Sequence, residues 1–159
     1  MKKIITYSML LLVCLHVSTV MVSAQASNTD THTMISGYNK KVYQLKVLLP
    51  AKYAASDTVR YPVLYVLDGD YATSMFQSTL QLFSLAPELQ EVIIVTIDGV
   101  SKSHEQWLAS RYYDYTPSSD PQADTAIAGF MKTAIVPSGG AATFLQTLEK
   151  QILPWVEQH

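Results

Sequence analysis

Several groups of residues in this 159-residue chain are of types and spacings that could do chemistry. The first is Asp68-Gly69-Asp70-Tyr71, directly after an apolar run. Gly69 lets the backbone turn without a Cβ clash, so the N–H groups of Gly69, Asp70 or Tyr71 can face a cleft. Such donors stabilise an oxyanion, each worth about 3–4 kcal/mol in a transition state. The same residues also read as an ordinary Asp-Gly turn. The second group is Gly99-Val100-Ser101-Lys102-Ser103, with a glycine and a serine spaced as in a nucleophile elbow but Ser103 where the second glycine belongs. Asp120 or Asp124 as acid and His159 as base would complete a Ser101 triad in the right chain order, with the base at a fraying terminus. The third is Arg111, whose fork can grip an acidic or phenolic substrate bidentately, or tie a loop down through Asp114 or Asp98. Tyr115, with Tyr112, Tyr113 and Trp107, offers a substrate wall or simply core.

Composition narrows the chemistry. A net charge of −2 provides no basic face for nucleic acid. The single cysteine, Cys14, excludes a disulfide framework and a cysteine zinc site. Asp68-x-Asp70 is not an EF-hand start, because Thr73 and Thr79 stand where its glycine and glutamate belong. No metal and no cofactor are expected, His32 and His104 read as surface residues, and no oligomeric state is implied.

The elements that must position these residues follow from periodicity. Residues 1–26 read as a cleavable export signal, leading to the periplasm or outside: Lys2 and Lys3, an apolar Met9–Leu15, then the small-x-small Ala24-Gln25-Ala26. Its removal takes two lysines and moves the net charge from −2 to −4, and leaves no membrane span. Residues 27–40 read as a flexible lead-in and 41–159 as the domain. Tyr43, Leu45, Val47 and Leu49 alternate as a half-solvated strand stopped by Pro50. Tyr61–Leu67 and Glu91–Ile97 are almost continuously apolar, the pattern of strands covered on both faces. Between them Ser74–Ala86 has helical spacing, ended by Pro87, so Tyr61–Ile97 forms a βαβ crossover with parallel strands. Asp98–Pro137 reads as a long binding loop. Ala141–Trp155 reads as an amphipathic helix bent at Pro154. The fold class is α/β, a three-layer sheet with parallel central strands and further strands to come.

YPVLYVLDGDY, then EVIIVTID, then Arg111-Tyr112-Tyr113-Asp114-Tyr115-Thr116-Pro117, then Ser138-Gly139-Gly140-Ala141 before FLQTLEKQILPWVE, occur in one order. Together they resemble the esterase D and enterochelin-esterase-like branch of the α/β hydrolases, from Thr33 to His159. That is the N-terminal half of a domain of up to about 250 residues. The resemblance implies a serine esterase acting on a small-molecule ester such as a siderophore lactone, formylglutathione or an acylated sugar. It makes the Asp70 N–H the strand-side half of the oxyanion hole. The family's G-x-S-x-G elbow has no counterpart here, and Ser138, which precedes its glycines, is not that serine. The chain as written is therefore expected to lack the catalytic serine, acid and histidine and to be inactive alone. The alternatives are a non-catalytic binding module on the same scaffold and a minimal Ser101 esterase.

Overall fold

The computed structural model describes residues 29–159 except 52, 56, 57, 87, 89 and 133. The export signal and Pro87 lie outside the described residues. Four strands form one mixed sheet in the order β1-β2-β4-β3. They are β1 (Thr29–Ile35), β2 (Val42–Leu48), β3 (Val63–Leu67) and β4 (Ile93–Gly99). β4 runs parallel to β3, with Leu67 opposite Ile97, as the crossover required. β1 and β2 are antiparallel to their neighbours, with Leu45 opposite both His32 and Ile97. The helices are α1 (Gly69–Phe83), α2 (His104–Tyr115), α3 (Pro121–Met131), α4 (Ala141–Thr147) and α5 (Leu153–Gln158).

Alternation along β2 and β4 sorts the two faces of the sheet. Tyr43, Leu45, Val95 and Ile97 meet Phe144 and Ile152, with Trp155 and Val156 packed beside them. On the opposite face Thr96 meets α1, where Thr73 Oγ1 lies 2.8 Å from Thr96 Oγ1. Gly69 makes this approach possible: a Cβ there would come within 3.2–3.3 Å of Thr96 Oγ1 and the Ile97 backbone. Helix, sheet and helix are the three layers expected.

Three expectations need correction. The lead-in expected over 27–40 is, among the described residues, not flexible: Thr29–Ile35 pairs with β2 along its whole length. Its run of β-branched Thr and Ile suits a strand, and its polar outer residues suit a sheet edge. Asp98–Pro137 is not a loop but carries α2 and α3. Ser103 caps α2 by accepting the Gln106 N–H, while the Gln106 side chain reaches back to the Lys102 N–H. Asp120 caps α3 by accepting from Gln122 and Ala123, with Pro121 in its first turn. Finally, β3 is one of the two edge strands among the four described, and Leu64 and Leu67 are 45% and 38% exposed rather than covered.

The helix expected to bend at Pro154 takes a specific form around it. Residues Leu148–Ile152 make a π-helical turn between α4 and α5, in which the Leu153 N–H reaches the Leu148 carbonyl. Proline cannot donate to the carbonyl four residues back and crowds it. Widening the preceding turn lets the helix continue to Gln158 instead of breaking.

Candidate functional site

β3 ends at Leu67, and the chain turns through Asp68 in the left-handed region (φ 60°) before α1 begins at Gly69. An aspartate tolerates that conformation better than most residues, because its short carboxylate finds local or nearby donors. Here the donors come from α2. Arg111 Nε and Nη2 donate to Asp68 Oδ1 and Oδ2 at 2.5 and 2.9 Å, and the Tyr115 hydroxyl donates to Oδ1 at 3.2 Å. The paired carboxylate raises the Arg111 pKa further, and burial is the main cause raising that of Tyr115.

A second carboxylate, Asp98, stands at the end of the neighbouring strand β4 and is only 7% exposed. Its Oδ2 accepts the Asp70 backbone N–H at 2.9 Å and the Trp107 indole N–H at 3.1 Å. Burial raises its pKa, partly offset by those two hydrogen bonds. Trp107, Arg111 and Tyr115 are four residues apart and share one face of α2. The Arg111 guanidinium lies over both rings, 4.8 Å from Trp107 and 5.2 Å from Tyr115. Tyr71 extends this aromatic run, 4.6 Å from Trp107, with its hydroxyl 3.0 Å from His104 Nδ1.

Of the three amides singled out in the sequence, that of Asp70 is therefore engaged by Asp98, and that of Tyr71 donates to the Asp68 carbonyl at 3.1 Å. Gly69 is in neither bond. Arg111 does make a structural salt bridge, but to Asp68 and not to Asp114 or Asp98. His104 is exposed, as expected of a surface residue, and meets both Tyr71 and Trp107 there. The Ser101 triad is not brought together. His159 Nδ1 is 2.8 Å from the Trp155 carbonyl, Asp120 is a helix cap, and Asp124 accepts from the Tyr112 hydroxyl. The other two described histidines are also engaged elsewhere, His104 with Tyr71 and His32 with the Trp155 ring. Ser138 accepts the Asp120 N–H and anchors the start of α3.

The sequence names Asp68 in the turn and Asp98 beside Arg111, but not the Arg111–Asp68 pair or the Asp98 bonds to Asp70 and Trp107, because the stretch after β4 reads as loop. The four-residue spacing of Trp107, Arg111 and Tyr115 behind a Ser103-x-x-Gln106 cap was the signal available. Arg111 and Tyr115 also line a small cavity with Tyr43, Asp98, Asp114 and Phe144, and Ser110 opens onto it. There Lys41 Nζ pairs with Asp114 at 2.5 Å and meets the Ser110 hydroxyl at 2.6 Å. Among the described residues no cluster of three potential metal ligands occurs, and no helix is long and apolar enough to cross a membrane.

Comparison with known proteins places this geometry. A family model described as "Putative esterase" matches residues 36–159. The chain is 35% identical over 98 residues to the apo-salmochelin esterase of Escherichia coli O6:H1 (strain CFT073), a match covering 62% of this chain and 29% of that protein. It superposes on the BES protein from Bacillus cereus with a TM-score of 0.64 at 28% identity, covering 84% of this chain and 47% of that one. Against the enterobactin hydrolase IroE in complex with DFP the TM-score is 0.58 at 29% identity, covering 82% of this chain and 47% of that one. The chain thus spans less than half the length of each of these relatives.

Proposed function

The chain belongs to the esterase family and has its α/β-hydrolase fold, and on that premise we propose that it is the N-terminal half of an exported carboxylic-ester hydrolase acting on a siderophore-type lactone. The reading draws on the apo-salmochelin esterase and the enterobactin hydrolase among its relatives. The single observation that carries it is the turn from Asp68 to Asp70, held at the carboxyl end of a parallel strand by donors and acceptors from α2 and β4. Ligands of open α/β sheets bind at that end of the strands.

In the proposed reaction a serine attacks the ester carbonyl, the carbonyl oxygen takes up negative charge, and an alcohol leaves as the acyl-enzyme forms. We assign the strand-side oxyanion donor to the Gly69 N–H, since those of Asp70 and Tyr71 are committed within the fold. With Arg111 Nε and Nη2 on Asp68, the remaining guanidinium N–H groups and the Tyr115 ring are assigned to the substrate. The serine, acid and histidine are assigned to sequence outside this chain, which alone is inactive. Export rests on residues 1–26.

The test uses p-nitrophenyl acetate. The chain alone shows no turnover above buffer. Fused after His159 to the C-terminal remainder of the apo-salmochelin esterase, it shows saturable hydrolysis. A fusion that melts cooperatively yet does not hydrolyse overturns the reading. Turnover by the chain alone that Ser101→Ala abolishes also overturns it, and moves the nucleophile to Ser101.

A further inference from the structure

We propose that Asp98 is a positioning residue whose carboxylate oxygen locks the Asp68–Asp70 turn and the Trp107 wall in register, and that its protonation unlocks both together. The inference rests on the reading of that turn as the anion-stabilising element. One oxygen, Oδ2, accepts from two different elements: the backbone of α1 through the Asp70 N–H, and the side chain of Trp107 on α2. Neither donor carries charge. A carboxylate at 7% exposure with N–H partners alone is held by hydrogen bonds rather than by an ion pair, and its acceptor strength depends on its own ionisation.

The consequence is geometric. The bond to Asp70 commits that amide within the fold, which is why the donor's role is assigned to the preceding one, on Gly69. The bond to Trp107 fixes the ring on which Arg111 and Tyr71 pack. Loss of the negative charge weakens both bonds at once, because the two donors share one acceptor atom. The turn and the wall are thereby coupled through a single atom, although they lie on elements distant in sequence.

The ionisable groups around Asp98 come from each neighbouring element. Asp70 on α1 opposes its ionisation, and burial outweighs every other influence. Lys41, before β2, favours the charged form, and Asp114 on α2 opposes it. Tyr115 on α2 also senses the Asp98 charge. Acidification through the elevated Asp98 pKa is therefore the physical trigger.

The test is a pH titration of the whole chain followed by 1H–15N NMR, which needs no turnover. The Asp70 amide and the Trp107 indole N–H are expected to shift with one shared midpoint, raised from the ordinary aspartate value. Asp98→Asn, of nearly the same shape, is expected to abolish both titrations. It should also speed hydrogen exchange at the Asp70 amide by about tenfold, the loss of one charge-assisted bond, while exchange at Thr96 in the core is unchanged. Titration of the two signals with different midpoints, or its persistence in Asp98→Asn, overturns the proposal. An inactive fusion with a shared midpoint would instead remove the ester reading and leave the coupling standing.

Discussion

Replacing Lys41 by methionine isolates the most exposed-to-risk interaction in the core. Lys41 Nζ is 2.5 Å from Asp114 Oδ2, 2.6 Å from the Ser110 hydroxyl and 3.2 Å from the Ser110 carbonyl. The Tyr43 hydroxyl donates to the same Asp114 oxygen at 3.0 Å and accepts from Asn39 at 2.8 Å. Asp114 Oδ1 is buried without a partner. Burial lowers the Lys41 pKa and raises that of Asp114, so desolvation outweighs the attraction on both sides of the pair. Removing one partner of a buried pair costs about 3–5 kcal/mol. Lys41 retains 24% side-chain exposure against 4% for Asp114, which points to the lower end, about 3 kcal/mol. Against a total stability of about 5–15 kcal/mol that is a large loss, read as a lower urea midpoint at unchanged slope. The pair Lys41→Met with Asp114→Leu removes the stranded charge, and its stability should return to within about 1 kcal/mol of the parent. A single-variant cost below about 1 kcal/mol would refute the reasoning, since it would mean that water already solvates Asp114. The pH dependence has a definite sign. A carboxyl whose folded pKa is raised binds more protons in the native state, so stability falls as pH rises from the unfolded value to the folded one. Asp114→Asn should flatten that slope only in part, because Asp98 contributes in the same direction.

Two further outcomes are expected. Gly140→Ala would place a Cβ 2.2–2.6 Å from the Tyr113 ring. That overpacking should cost about 1–3 kcal/mol in thermal or urea unfolding, relieved in a Tyr113→Ala background. Arg111→Lys keeps the charge but loses the two-pronged grip on Asp68. With both side chains about a third exposed, the stability change should stay within about 1 kcal/mol, while hydrogen exchange across residues 68–70 accelerates. A large stability loss with no change in that exchange would argue against the clamp.

The fold was legible in sequence wherever burial is the repeating signal. The alternation of Tyr43, Leu45 and Val47 and the apolar runs of β3 and β4 gave the sheet and its parallel pair. β1 escaped because Thr29–Ile35 owes its structure to pairing with β2, and its own polarity resembles that of a solvated segment. Helices α2 and α3 escaped because Ser, Asp and Pro were weighed as loop formers, whereas Ser103, Asp120 and Pro121 sit where helices start. The exposure of Leu64 and Leu67 shows the opposite limit: an apolar run records the surroundings a strand is suited to, and its actual cover comes from other segments. At the site, a tether through Asp114 or Asp98 is one reading of Arg111, and both the glycine turn and Arg111 are visible in the sequence. Its partner is not, because Asp68 and Arg111 are brought together only by the register of α2 over the strand ends.

The two acids at those strand ends differ in a way that separates their roles. Asp68 faces a cation and a phenol, and its charge is matched atom for atom by the Arg111 fork. Such a two-pronged pair suits a fixed hinge for a residue in the left-handed region. Asp98 has only neutral donors and is buried, so its charge is sustained by N–H groups against a burial that raises its pKa. The turn to which an anion-stabilising amide is assigned is thus held by an ion pair at its first residue. At its third residue it is held by a bond that one proton can weaken. If the ion pair were instead the proton-sensitive element, Arg111 and Tyr115 would leave Asp68 on acidification while the Asp70 amide stayed in place, an order of events the same NMR titration would reveal.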